Sequence, residues 1–130
     1  MKNHDKICVD ANVLLEVLLE GRKRSHIAAT VLGRASKIAL TPLSYHLYVH
    51  FGKKEGHSVE ELIADLADFE VLAMNDDTIN WANLNYANED FEDALQIGCA
   101  MSSDCDTFVT FDQQLAKSYQ DSPFLKITCL

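Results

Sequence analysis

The sequence has few residues that interrupt regular structure, since only two prolines and five glycines occur among its 130 residues. No proline- or glycine-rich linker, repeat or low-complexity tract divides it. The hydrophobic fraction of 48% is enough to fill one core and excludes a disordered or fibrous chain. We therefore predict one globular domain over residues 1–130.

Long hydrophobic runs are also missing. No stretch reaches the roughly 18–20 apolar residues that a membrane-spanning helix needs. The start of the chain, MKNHDKICVD, lacks the apolar core of a secretion signal. These absences predict a cytoplasmic protein with no membrane partner.

The cysteines lack the spacing of a metal or redox motif. None of the four belongs to a C-x-x-C unit, which disfavours a zinc site. A cytosolic protein keeps its thiols reduced, which argues against a disulfide framework. We interpret all of them as small buried thiols: Cys8, Cys99, Cys105 and Cys129.

Basic residues are scarce relative to acidic ones, with 11 Lys and Arg against 20 Asp and Glu and a net charge of −9. No basic face for nucleic acid is visible at this level. Divalent cations bound to carboxylates reverse the local charge, so this balance does not exclude a nucleic-acid substrate. Arg22, Lys23 and Arg24 are candidates for contacting RNA phosphates, although a solvated turn is the simpler explanation.

Strand and helix patterns alternate along the whole chain. Such alternation predicts an α/β fold: a single three-layer domain, with a parallel central sheet and helices on both faces. Ser25, Thr41 and Ser58 are predicted to cap helices. The predicted strands are 6–9, 37–40, 69–74, 107–111 and 123–129. The predicted helices are 12–21, 25–36, 42–52 or 42–56, 58–68, 76–86 or 77–86, and 91–101.

Four acidic residues fall where strands end or helices begin. Asp10 follows the first strand and Asp112 the fourth, while Asp90 and Asp93 open the preceding helix. In a parallel sheet these positions share the edge where ligands bind. Clustered carboxylates repel one another unless a cation neutralises them, and hard oxygen ligands suit Mg²⁺ or Mn²⁺. Such a cation activates water and stabilises charge on a phosphodiester.

Each acid also has a purely structural explanation. Asp10 could form an Asx turn between strand and helix, and Asp112 could cap a short helix over residues 113–117. Asp90 could cap a helix whose first turn holds Asp93, where negative charge suits the helix dipole. The positions of the acids leave both explanations open.

Three blocks around these acids resemble the PIN domain, the fold of VapC-type toxin ribonucleases of toxin–antitoxin pairs. The blocks are VDANVLL at 9–15, DFEDALQ at 90–96 and DTFVTFD at 106–112. The resemblance implies that Asp10, Asp93 and Asp112 are the catalytic acids and bind Mg²⁺ or Mn²⁺. The resemblance also implies three supporting residues: Asn12, which would orient the first turn, Thr110 beside the site, and Asp90 at its rim.

One position departs from the family pattern. The family commonly carries a glutamate in the helix after the second strand, and the matching residue here is Leu47. Neither His46 nor His50 restores the carboxylate. A leucine at this position is most simply explained by core packing, and its presence predicts weaker metal binding.

The resulting hypothesis is a metal-dependent endoribonuclease that hydrolyses RNA phosphodiesters and pairs with an antitoxin. Because of Leu47, the alternative is a weak or inactive PIN-like module that acts through RNA or protein binding. A receiver domain would need an acidic pair after the first strand, and a D-x-D-x-T phosphatase would need an acid at Asn12. The glycine motifs of dinucleotide and P-loop proteins are absent.

Aromatic residues predict self-association. Tyr45 and Tyr48 are expected on one exposed face of the third helix, together with neighbouring apolar residues. Exposed apolar patches of this kind mark protein interfaces. We therefore predict a homodimer.

Overall fold

The computed structural model describes residues 6–19 and 23–130. These residues form β1 (Lys6–Val9), α1 (Ala11–Leu18), α2 (Ser25–Gly33), β2 (Lys37–Leu40), α3 (Pro42–Lys54) and α4 (Val59–Asp65). The second half of the chain forms β3 (Glu70–Val71), α5 (Asp76–Asn85), α6 (Phe91–Ser102), β4 (Thr107–Thr110), α7 (Gln113–Tyr119) and β5 (Lys126–Cys129). No helix among the described residues is long and apolar enough to span a bilayer.

The five strands form one parallel sheet in the order β3-β2-β1-β4-β5. Cys8 in β1 therefore pairs with Ala39 on one side and Phe108 on the other. The chain adds β2 and β3 to one side of β1 and later returns to add β4 and β5 to the other. This reversal places a crevice between the carboxyl ends of β1 and β4, where open parallel sheets bind ligands.

Helices cover both faces of the sheet. Ile7 and Val9 pack into a core cluster with residues of α1, α2, α3 and α4. Cys8, which points the opposite way, packs into a second cluster with residues of α5, α6 and α7. This alternation is the period-2 pattern of a strand buried on both faces. The predicted three-layer α/β fold is confirmed.

Helix caps agree with the sequence at two of the three predicted positions. Thr41 Oγ1 accepts the Ser44 N–H at 3.1 Å, and Ser58 forms a capping box with Glu61. Ser25 instead begins α2, and the preceding Arg24 makes no side-chain cap. The Ser25 prediction was therefore wrong.

Several element bounds are shorter than predicted. The first helix stops at Leu18, with Leu19 as its C-cap, and residues 20–21 of the predicted range lie outside the described residues. β3 is reduced to Glu70–Val71, because this edge strand pairs only with the end of β2. β5 begins at Lys126 rather than at residue 123.

Two predictions about burial need correction. All four cysteines are free thiols, but Cys129 is exposed because it lies on the edge strand β5. Tyr48 is fully buried, and its hydroxyl donates a hydrogen bond to Asp65 Oδ2 at 2.7 Å. Tyr45 is half-buried against the same core cluster. The two tyrosines therefore do not form the exposed face from which a homodimer was predicted.

Candidate metal-binding active site

Asp10 lies at the carboxyl end of β1 and caps α1. It is only 8% exposed, and its side chain accepts four hydrogen bonds. Oδ1 accepts from the Ala11 N–H at 2.7 Å and from Gln96 Nε2 at 3.3 Å. Oδ2 accepts from Thr110 Oγ1 at 2.8 Å and from Asn12 Nδ2 at 3.4 Å. Burial raises the pKa of Asp10, and the donated hydrogen bonds oppose that rise by stabilising the carboxylate.

Asn12 and Thr110 connect the ends of β1 and β4. Asn12 Oδ1 accepts the Phe111 N–H at 3.1 Å, which ties the first turn of α1 to the residue after β4. Thr110 Oγ1, fully buried, donates to Asp10 and accepts the Asp112 N–H at 2.9 Å. Both residues therefore lie between the two acids, at the positions that the sequence-based hypothesis gives to supporting side chains.

Asp112 follows β4 and caps α7. Its Oδ1 accepts the backbone N–H groups of Gln114 at 2.9 Å and Leu115 at 3.1 Å. The structural explanation of this aspartate is thus correct. Asp10, in contrast, caps α1 through the N–H of the next residue, whereas the predicted Asx turn would use the N–H two residues on. A cap does not exclude a metal role, because the second carboxylate oxygen remains available to a ligand.

Asp90 and Asp93 open α6. Asp90 Oδ1 caps the helix by accepting the Asp93 N–H at 2.9 Å. Asp93 is half-buried, and this burial together with the charge of Asp90 raises its pKa to about 7; Asp112 and Asp10 contribute in the same direction. Asp93 is therefore an acid whose negative charge the surrounding protein does not compensate.

A cavity of about 340 Å³ brings part of this set together, because Asp90, Asp93 and Asp112 all line it. Asp10 does not line this cavity, but its charge contributes to the raised pKa of Asp93. Among residues 6–19 and 23–130, no three His, Cys, Asp or Glu side chains form a ready-made metal-binding group. A larger cavity of about 1050 Å³ opens near Lys6 and Lys37, at the opposite edge of the sheet, and contains none of the predicted acids.

The donor set at the carboxyl edge suits a hard divalent cation. Asp10, Asp93 and Asp112 offer only oxygen ligands, which Mg²⁺ and Mn²⁺ prefer. Burial and, after it, the neighbouring carboxylates raise the pKa of Asp93, and a bound cation would remove the repulsion among these carboxylates. The residues present therefore fit such an ion chemically.

Gln96 is a site residue that the sequence analysis did not identify. It lies on α6, 2% exposed, and donates to Asp10 from Nε2. Its Oε1 accepts from Thr41 Oγ1 at 2.8 Å and from Ser44 Oγ at 2.7 Å. A signal was present: Gln96 is a lone amide in the otherwise apolar run ALQIGCA, on the helix face of Asp93.

The remaining predicted positions have mixed outcomes. Leu47 is half-buried but belongs to neither core cluster of the described residues, so core packing does not explain it.

Of the basic residues predicted to contact RNA, Arg24 pairs with Glu16 at 3.1 Å, and its guanidinium lies 3.8 Å from the Phe111 ring centroid. Lys23 is exposed, and Arg22 lies outside the described residues.

The fold and the site define a class: a parallel α/β domain that collects carboxylates between the ends of β1 and β4. Within that class, the PIN domain matches the sequence over residues 6–114. The chain therefore belongs to the PIN-domain family. No curated protein sequence matches it.

Similar solved structures include toxin–antitoxin proteins. One is a toxin–antitoxin complex from Klebsiella pneumoniae, with a TM-score of 0.69, 16% identity, and coverage of 92% of this chain and 94% of that one. Another is VapC20 from Mycobacterium tuberculosis, described as a sarcin–ricin loop cleaving toxin, with a TM-score of 0.71, 14% identity, and coverage of 86% and 94%. A third is VapBC2 from Rickettsia felis bound to a fragment of promoter DNA. Its TM-score is 0.64 at 12% identity, with coverage of 96% of this chain and 98% of that one. At these identities the likeness establishes the fold.

Proposed function

We propose that this protein is a metal-dependent endoribonuclease that hydrolyses RNA phosphodiesters, and that it is the toxin of a toxin–antitoxin pair. The observation that carries the proposal is the placement of Asp93 and Asp112 on one cavity, with Asp10 near enough for its charge to act on Asp93. Membership of the PIN-domain family supports it. Likeness to a structure described as a sarcin–ricin loop cleaving toxin from M. tuberculosis is consistent with the proposal.

Each acid has a distinct part in the proposed chemistry. When bound, Mg²⁺ or Mn²⁺ supplies charge stabilisation at the phosphodiester and lowers the pKa of a bound water. Asp10 has a carboxylate that four donors hold in one orientation, and a cation would bind it in place of its longest contact, the one from Asn12 Nδ2 at 3.4 Å. Asp93 releases its proton near neutral pH, and Asp112 offers the oxygen that α7 does not engage.

The substrate side of the proposal rests on the basic turn before α2. Lys23 is exposed, and Arg24 lies over the Phe111 ring, one residue before Asp112. A guanidinium in this place can contact an RNA phosphate while it keeps its partner Glu16. Arg22 stays in the proposal from its sequence position alone.

The proposed partners are an antitoxin and a second copy of this chain in a cytoplasmic complex. Toxin–antitoxin complexes among the similar structures support the antitoxin. The homodimer no longer has support from Tyr48, which is buried. Exposed apolar side chains on α3 and α4, namely Phe51, Val59 and Ile63, are the remaining support for self-association.

One observation favours a second candidate, a PIN-like module with weak or no activity. Leu47 stands where the family commonly has a metal-binding glutamate, so the site has one anionic ligand fewer. A cation bound by fewer carboxylates keeps more water and dissociates more readily. Such a module would bind RNA or protein without cleaving.

The test is RNA cleavage with Mn²⁺ or Mg²⁺, compared with the same reaction in excess EDTA. We expect cleavage by the wild type, none in EDTA, and none by Asp93→Asn. Asp76→Asn is the matched control, because Asp76 also lies in the first turn of a helix but outside the acidic cavity. Cleavage that persists in EDTA would refute metal dependence, whereas RNA binding without cleavage would favour the second candidate.

A further inference from the structure

Gln96 connects the carboxyl edge of the sheet to two helices on opposite faces. It lies on α6, and its amide reaches Thr41 and Ser44 at the start of α3 and Asp10 at the end of β1. These contacts join residues 55, 52 and 86 positions apart in the chain. The amide therefore links the ends of β1 and β2, beside the proposed metal site.

The orientation of this amide is determined by its partners. Thr41 Oγ1 already accepts the Ser44 N–H, and its single proton goes to Gln96 Oε1. Ser44 Oγ donates to the same oxygen. A reversed amide would place an oxygen against Asp10 Oδ1, acceptor facing acceptor, at the 3.3 Å that now separates a donor from an acceptor. The N–H₂ group must therefore face Asp10.

The burial of three polar side chains costs free energy, which packing alone does not explain. Thr41 and Ser44 are fully buried, and Gln96 is 2% exposed. The neighbours of Gln96 on α6, such as Ala94 and Ile97, are apolar, so an apolar residue would fill the position more simply. Every buried side-chain nitrogen and oxygen in the described part of the chain has a hydrogen-bond partner, so the network is complete.

We propose that Gln96 is a positioning residue, held by Thr41 and Ser44, whose amide fixes the Asp10 carboxylate for binding a divalent cation. This inference rests on the proposed metal-dependent function. Outer-shell hydrogen bonds of this kind orient the ligand that touches the metal, and their loss typically costs about 10- to 100-fold in metal affinity.

The first experiment measures Mn²⁺ affinity by calorimetric titration of Gln96→Leu, which keeps a side chain of similar size and removes the amide. We expect affinity to fall by about tenfold or more. Tyr48→Phe is the matched control, because it also deletes a buried polar group, a hydroxyl that bonds Asp65 and not one of the three proposed metal ligands. We expect it to lower thermal stability while leaving Mn²⁺ affinity unchanged.

The second experiment uses Gln96→Glu, which keeps an acceptor for Thr41 and Ser44 but places a carboxylate oxygen against Asp10. We expect the metal-free variant to melt at a lower temperature than the wild type and to gain more from Mn²⁺. Gln120→Glu adds the same charge at an exposed residue after α7 and controls for net charge. It should show neither effect.

The outcomes separate this inference from the function on which it rests. Equal Mn²⁺ affinity in the wild type and a folded Gln96→Leu variant would overturn the positioning role alone. Wild-type protein that binds no Mn²⁺ would overturn the metal-dependent function and the positioning role together. If Gln96→Leu does not fold, the same melting response to Mn²⁺ in Gln96→Glu and Gln120→Glu would overturn the inference.

Discussion

Thr110 Oγ1 donates a hydrogen bond to Asp10 Oδ2 at 2.8 Å, across the two central strands of the sheet. The same oxygen accepts the backbone N–H of Asp112 at 2.9 Å. One buried hydroxyl therefore sets the relative placement of two acids that lie far apart in the sequence.

Removal of this hydroxyl should weaken both the fold and the proposed site. Thr110→Val keeps the shape of the side chain but removes one of the four donors to Asp10 and the acceptor of the Asp112 N–H. We expect a loss of about 1–3 kcal/mol in the free energy of unfolding, measured by urea denaturation, and weaker Mn²⁺ binding. Thr30→Val, in an exposed position where the hydroxyl bonds only within α2, should change neither by a comparable amount.

Two aspartates of the site should respond oppositely to neutralisation in metal-free protein. Asp10→Asn places an N–H₂ group among four donors and should destabilise the fold by about 1–3 kcal/mol. Asp93→Asn should stabilise it, because Asp93 is half-buried next to like charges. Chemical denaturation of the pair measures both effects, and a stabilised Asp10→Asn would contradict the assigned hydrogen bonds.

The metal-free protein should lose stability as pH rises towards neutrality. Asp93 has a pKa of about 7 in the folded protein, raised from its ordinary value of 3.8. Between these values the folded state holds a proton that the unfolded state has lost, so the free energy of unfolding decreases with rising pH and levels off above about 7. The difference between the denaturation curves of wild type and Asp93→Asn isolates this contribution, and a difference independent of pH would refute it.

Leu47→Glu should strengthen the proposed metal site. Because Leu47 is half-buried and outside the core clusters, a glutamate there can be accommodated without burying a charge in the core. We expect Mn²⁺ to bind about tenfold more tightly, or ~1.4 kcal/mol, in calorimetric titration. Leu84→Glu adds the same charge at a side chain that is 85% exposed and should have no effect. Unchanged affinity in a folded Leu47→Glu would mean that residue 47 does not face the metal site.

Local features of the fold were predictable because they depend on residues close in sequence. The cap at Thr41 and the capping box at Ser58 use partners three positions away. The alternation of buried faces in β1 follows from strand geometry. The positions of Asp10 and Asp112 were predictable because each lies just after a strand. Ser25 failed as a cap because it is the first residue of α2. The N-cap position falls to Arg24, whose side chain binds Glu16.

What only the tertiary structure decided are contacts between distant elements. The hydrophobic pattern places apolar residues on a helix face but does not say which neighbour covers it, so Tyr48 was predicted exposed although it packs in the core against α4. Gln96 reaches Asp10 across 86 residues, and that contact exists only because β1 lies between β2 and β4. Sequence by itself determined the strand-end acids and the class of fold, since short-range geometry sets both. The hydrogen bonds that orient those acids depend on sheet order, which is a property of the packed chain.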